Sequence, residues 1–105
     1  MICSIFLSKK EYDKWSEPEK LNSEINKSDF TSTQPAVGID SRKNQETIYF
    51  VSDRKKGSKG GMDIWYTSYD EKKQDFATPK NAGKINTVGD EMTPFYDNDT
   101  RTLYF

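Results

Sequence analysis

Two stretches of this chain are variants of one unit, and a repeat at near-constant spacing constrains the fold before any local pattern does. The first stretch begins Ser4-Ile-Phe-Leu and continues through Lys-Trp-Ser-Glu-Pro, Glu-Ile-Asn, Thr-Gln-Pro-Ala-Val and Ile-Tyr-Phe. The second begins Asp63-Ile-Trp-Tyr and continues through Asp-Phe-Ala-Thr-Pro, Lys-Ile-Asn, Met-Thr-Pro-Phe-Tyr and Leu-Tyr-Phe. Ile5 and Ile64 lie 59 positions apart, Pro18 and Pro79 61, Asn26 and Asn86 60, and Pro35 and Pro94 59. Tyr49 and Tyr104 lie 55 apart, so the units differ by small changes in loop length.

Short aromatic or β-branched runs separated by turn residues read as strands. The pattern predicts strands over Ser4 to Ser8, Gln34 to Ile39, Thr47 to Ser52, Asp63 to Tyr69, Met92 to Tyr96 and Thr102 to Phe105. The run around Ile48-Tyr49-Phe50-Val51 suits a strand buried on both faces. Trp15 to Leu21 and Phe76 to Ala82 each contain a proline, which has no N–H for a ladder, and so read as edge strands. No segment sustains the apolar period of a helix.

Lys56-Gly57-Ser58-Lys59-Gly60-Gly61 reads as a hairpin loop whose glycines permit positive φ, and Asp97-Asn98-Asp99-Thr100 as a compact turn. Asp40 to Glu46 is the longer counterpart of that turn, and residues 81–83 and 86–90 form a two-step link between units. Four strands per unit of roughly 55–60 residues predict an all-β fold, a partial β-propeller of four-stranded antiparallel blades. The expected phase is a half blade at 1–33, a complete blade at 34–86 and a half blade at 87–105. Repeat folds need about three units for a continuous core, so the segment is expected to belong to a longer protein or to pair with other blades.

Leu, Ile, Val and Phe number only 19 of 105 residues, which would suggest disorder if net charge were high. Net charge is −1, and 14 aromatics supply apolar area, which points to a thin, aromatic-rich β core. Near-neutral charge argues against nucleic acid or an anionic membrane as the main partner. The run Arg54-Lys55-Lys56 with Lys59 reads as a solvated turn. The lone Cys3 excludes an intramolecular disulfide, and no apolar run reaches the ~20 residues of a membrane span. The opening Met-Ile-Cys-Ser-Ile-Phe-Leu has neither the charged leader nor the apolar length of a signal peptide, so none is expected in this segment.

Histidine is absent, which removes imidazole catalysis and imidazole metal sites from this chain. It also holds no Gly-x-Ser-x-Gly elbow and no phosphate-loop ending after Gly57 to Gly61. No catalytic, cofactor or metal residue is therefore assigned; the acidic turn Asp97-Asn98-Asp99 breaks the EF-hand spacing at Arg101. Four residues are candidates for binding. Asp90 and Glu91 either line a ligand funnel beside an innermost strand starting at Met92 or cap backbone N–H groups. Asp53 and Arg54 either contact a partner or pin the glycine-rich loop against the strand at Asp63. Trp15, Trp65 and Phe76 read as packing aromatics.

Ile48-Tyr49-Phe50-Val51-Ser52-Asp53-Arg54, followed by Gly60-Gly61-Met62-Asp63-Ile64-Trp65, resembles the WD40-like propeller repeat of TolB-type proteins. Ile85-Asn86-Thr87, then Gly89-Asp90-Glu91-Met92-Thr93-Pro94-Phe95 and Leu103-Tyr104-Phe105, is similar to the version in Bacteroidetes envelope proteins. Such proteins often join the propeller to an OmpA-like peptidoglycan-binding domain, and some belong to the type IX secretion apparatus. The resemblance implies a non-catalytic scaffold or protein-interaction module in the periplasm or at the outer membrane. Its partners would be other envelope proteins, or peptidoglycan through a neighbouring domain. The alternative it leaves open is the propeller portion of a glycosidase, sialidase or peptidase.

Overall fold

A computed structural model of the chain describes residues 2–40, 45–55, 57, 58, 60–87 and 89–105, with the side chains of residues 40 and 84 left aside. Expectations about the middle of the Asp40 to Glu46 connection, and about Lys56, Lys59 and Val88, lie outside the described residues. The fold is all-β; the helical content of the described residues is the single 3-10 turn Gly83–Ile85.

Three long strands build the central sheet. In chain order the strands are β1 (Phe6–Leu7), β2 (Lys10–Glu11), β3 (Lys14–Trp15), β4 (Glu19–Lys20), β5 (Ser32–Asp40) and β6 (Gln45–Ser52). They continue as β7 (Asp63–Asp70), β8 (Asp75–Phe76), β9 (Lys80–Asn81), β10 (Phe95–Asp97) and β11 (Thr102–Tyr104). The antiparallel order is β5-β6-β7, with β8 and β9 both on the far edge of β7. That fourth position is split because Pro79 sits between its halves and cannot donate to a ladder. The first unit splits the same way around Pro18, which corrects the single edge strand expected over Trp15 to Leu21. Instead β3 returns on β2 in a hairpin, while β4 pairs with β1. Tyr12 and Asp13 at its tip have φ of 49° and 66°, as a two-residue turn of the primed type requires.

Ladder registers repeat with the sequence. Phe6 faces Lys20 as Trp65 faces Asn81, and Lys10 faces Trp15 as Tyr69 faces Phe76. Tyr96 faces Leu103 as Val37 faces Ile48. The last pair of strands starts at Phe95 rather than at Met92, because Thr93 (φ 52°) bends the chain before Pro94. Its counterpart Gln34 (φ 51°) does the same before Pro35, where the β5–β6 register shifts between Thr33 and Ala36.

Side chains alternate across a strand, so β6 and β7 present one face through Ile48, Phe50, Trp65 and Thr67 and the other through Tyr49, Val51, Ile64 and Tyr66. On the first face Ile5 and Ile25, with Leu21 beside them, close over Ile48, Phe50 and Trp65. Phe76 packs at the same cluster. On the second face Tyr96 stacks on Tyr49 with ring centroids 5.5 Å apart. Three layers result, each joined to the next by side chains of opposite faces.

Gly38 makes the second junction possible. A Cβ there would lie 2.5 Å from Cδ2 of Tyr96 and under 3.0 Å from two further ring atoms. Gly38→Ala therefore lifts the Tyr96 ring from the sheet at a cost of about 1–3 kcal/mol. Urea denaturation, with near-ultraviolet dichroism reporting the Tyr49–Tyr96 stack, checks this; unchanged stability and unchanged aromatic signal would refute it. Two bonds between counterparts support the same junction: Thr93 N–H donates to Gln34 Oε1 at 2.6 Å, and Ile39 N–H to Asn98 Oδ1 at 2.8 Å.

Candidate functional site

An asparagine clamp repeats within successive layers. Asn26 accepts from Ile5 N–H at 2.7 Å and donates to Ile5 O at 2.9 Å. Asn86 accepts from Ile64 N–H at 2.9 Å and donates to Ile64 O at 2.8 Å. An amide side chain presents one acceptor and two donors, so it can satisfy both backbone groups of one residue and reach a third acceptor. The third is Leu21 O for Asn26 and Asn81 Oδ1 for Asn86. Both asparagines are buried, as the buried polar groups they partner demand.

The candidate binding residues fall at two successive copies of one station. Thr31 Oγ1 accepts from Cys3 N–H at 2.6 Å, and Asp90 Oδ1 accepts from Met62 N–H at 2.7 Å. Next in sequence, Ser32 N–H donates to Cys3 O at 2.9 Å and Glu91 N–H to Met62 O at 2.7 Å. Asp90 is exposed and Glu91 is buried. The Glu91 carboxylate accepts from Thr87 N–H at 2.9 Å through Oε1, while its Oε2 is buried with no hydrogen-bond partner among the described residues. Gly61 gives Asp90 room, since a Cβ at Gly61 would lie 2.5 Å from Asp90 Oδ1.

Among the described residues, the bonds of Asp53 and Arg54 run to the earlier copy of that station rather than to the glycine-rich loop, the second of the two readings offered for them. Asp53 Oδ1 accepts from Thr31 N–H at 2.8 Å. Arg54 donates through Nε to Ser52 Oγ at 3.0 Å and through Nη1 to Glu24 O at 3.0 Å. Its Nη2 donates to Ile25 O at 2.7 Å and to Ser32 Oγ at 3.1 Å. These four bonds use four of the five guanidinium N–H donors. The guanidinium carbon also lies 5.2 Å from the ring centroids of both Phe50 and Trp65. Arg54 is 6% exposed, which overturns its place in a solvated basic turn; only Lys55 of that run is seen exposed. Burial pushes its pKa below the ordinary value, and the negative charges of Glu24 and Asp53 oppose that shift. The glycine-rich loop is held instead by Asp63, whose Oδ2 lies 3.2 Å from Ser58 Oγ and 3.4 Å from Gly60 N.

Beside Arg54 a cleft of about 560 Å³ opens between the first layer and the central sheet. Phe30, Trp65 and Pro79 supply apolar walls; Glu24 and Lys27, 3.2 Å apart as an ion pair, mark its polar side. The volume lies in the range of ligand pockets, and the lining is apolar with a few charged groups. Its described lining is Glu24, Lys27, Phe30, Arg54, Gly57, Trp65, Thr78 and Pro79, so an apolar or aromatic group would fit its shape and walls. Trp65 belongs to the core, as does the half-buried Phe76, but Trp15 is 68% exposed and contradicts its expected packing role. Its counterpart Phe76 packs against the core cluster and meets the first layer through Asn22, whose Nδ2 donates to Phe76 O at 3.1 Å, whereas no described layer covers Trp15.

Nothing in the repeat spacing distinguished Asn26, Asn86 and Arg54 as buried. The signal for the clamp was present, since Ile-Asn recurs 60 positions on, but periodicity alone does not reveal a buried amide. Asp97-Asn98-Asp99 closes on itself, with Asp99 N–H donating to Asp97 Oδ1 at 3.0 Å. Comparison of the chain with family models, with curated proteins and with solved structures returns no match.

Proposed function

We propose that the chain is a run of propeller-type units acting as a non-catalytic scaffold that binds other proteins in a bacterial cell envelope. The observation that carries the propeller reading is the recurrence of ladder register and asparagine clamp in successive layers. Successive layers of one register that pack face to face are what a radial array of four-stranded blades needs. In this reading the first layer supplies the last two strands of one blade, Ser32 to Asn81 a whole blade, and the last layer the first two strands of a third. The envelope location, and partners among envelope proteins or peptidoglycan-linked neighbours, come from the resemblance to TolB-type and OmpA-joined repeats.

The cleft beside Arg54 is the surface we assign to partner binding, because its walls are apolar and its arginine is held by protein acceptors. Cross-linking in the source bacterium, followed by fractionation and mass spectrometry, tests the role: the chain should be recovered in the envelope fraction joined to envelope proteins. Recovery from the cytosol alone, or turnover of glycoside or peptide substrates by the purified chain, would overturn it. Thr78 lines the cleft and is exposed, so Thr78→Arg should weaken partner binding at least about tenfold while leaving the melting curve unmoved. Equal affinity in that variant would move the binding surface elsewhere.

A further inference from the structure

The cleft beside Arg54 carries two hydrogen-bond donors that the described residues leave without acceptors. Trp65 lines it and is 5% exposed, yet its Nε1–H has no partner among those residues. The large majority of buried side-chain donors in folded proteins are paired, so an orphan in a cleft wall points to a ligand that brings the acceptor. Arg54 supplies the second donor. Ser52, Ile25 and Ser32 take its Nε and both Nη2 hydrogens, and Glu24 O takes one on Nη1, which leaves the other Nη1–H over. Its guanidinium carbon lies 5.2 Å from the centre of the Trp65 ring, so both residues share one part of the cleft.

Charge in that part is unbalanced. Lys27 and Glu24 pair at 3.2 Å and offset each other. Among the described residues no carboxylate pairs directly with Arg54; Glu24 and Asp53 act on it from beyond ion-pair distance. The described lining therefore holds one positive charge in excess, beside apolar walls made by the half-buried Phe30, the buried Pro79 and the Trp65 ring. Both walls are interior segments of the chain, residues 24–30 and 54–79.

We infer that the cleft takes a short acidic segment of a partner protein, with an apolar or aromatic side chain between Phe30 and Pro79 and a neighbouring carboxylate on the spare N–H groups of Arg54 and Trp65. This names the chemistry of the partner and rests on the reading of the cleft as the binding surface. A carboxylate accepts from two donors at once, and its hydrogen bond to a guanidinium is of the strong, charge-assisted kind. A basic segment would meet like charge there instead.

Two-dimensional proton–nitrogen NMR of the full chain, titrated with short blocked peptides, tests the assignment. A phenylalanine flanked by aspartates should move the Trp65 indole N–H downfield and leave that of the exposed Trp15 in place. It should bind at least about tenfold more tightly than the same peptide flanked by lysines. Thr78 is exposed on the cleft wall, and glutamate and glutamine have equal bulk. Thr78→Glu should therefore bind the acidic peptide at least about tenfold more weakly than Thr78→Gln. The comparison of peptides on the parent chain decides the matter whether or not either variant folds. Equal affinity for the two flanks overturns the acidic segment while leaving the cleft as the binding surface. A Trp65 indole unmoved by every peptide overturns it as well; unchanged partner affinity in Thr78→Arg would then take the binding surface with it.

Discussion

Arg54→Lys is expected to lower stability by about 2–4 kcal/mol even though it keeps the charge. The arginine joins three parts of the chain: the end of β6 through Ser52, the start of β5 through Ser32, and the first layer through the carbonyls of Glu24 and Ile25. A lysine ammonium is a compact point donor on a flexible stem and cannot hold that planar fork of bonds. Ile25 O would keep the Ser32 hydroxyl as a donor at 2.7 Å but lose the guanidinium, and the buried Ser32 Oγ would lose the N–H that it accepts, at a cost of about 1–3 kcal/mol before relaxation. Contacts with Phe50 and Trp65 add about 0.5–2 kcal/mol to what is lost. Arg54→Met, which keeps the stem and drops the charge, should cost a similar amount if the hydrogen-bonding fork is what matters. Urea denaturation followed by tryptophan emission measures both, since Trp65 lies against the guanidinium and Trp15 gives a solvent-exposed background. A lysine variant as stable as the parent would show that the charge alone suffices.

Asn86→Ala should cost about 1–3 kcal/mol, because it leaves the N–H of the fully buried Ile64 without its acceptor, while Ile64 O keeps the Ala82 N–H at 3.0 Å. Against a typical net stability of about 5–15 kcal/mol, that is a large share. Asn86→Asp separates the two halves of the clamp. Its carboxylate can still accept from Ile64 N–H, but it cannot donate to Ile64 O or Asn81 Oδ1 and sets a negative charge against them. The aspartate variant is therefore expected to be no better than alanine. Native-state amide exchange checks the assignment residue by residue. Ile64 should lose protection in the Asn86 variants and Ile5 in Asn26→Ala, each in its own layer. Loss spread evenly over both layers would mean the clamps are not separate.

Much of the architecture was legible because offsets in the sequence are also offsets in the ladders. The 59-residue step from Ile5 to Ile64 and the 61-residue step from Pro18 to Pro79 carry Phe6–Lys20 onto Trp65–Asn81 without a slip. A slip of one residue would turn every side chain to the other face, so the buried pattern holds the register. Less legible were features that depend on what lies across a junction. Trp15 and Phe76 occupy matching positions, yet one is exposed and the other packed, because only Phe76 has a layer over it. Arg54 sits in a basic run, and nothing in that run foretells two carbonyls from residues 24 and 25 waiting above it. The bends at Gln34 and Thr93 also escaped notice, since a residue before proline ordinarily favours extended backbone over φ near 50°.

The turn at Tyr12–Asp13 and the connection from Glu71 to Gln74 close equivalent hairpins at identical register, one with twice as many residues as the other. Doubling a loop costs only about 0.6 kcal/mol in closure entropy. Hairpin tips can therefore grow or shrink almost freely, while the clamps hold each layer together and the stacked rings hold the last layer on the central sheet. A chain of this kind keeps its geometry in one set of residues and its outward variety in another, so foreign loops could be grafted at the tips without rebuilding the stack.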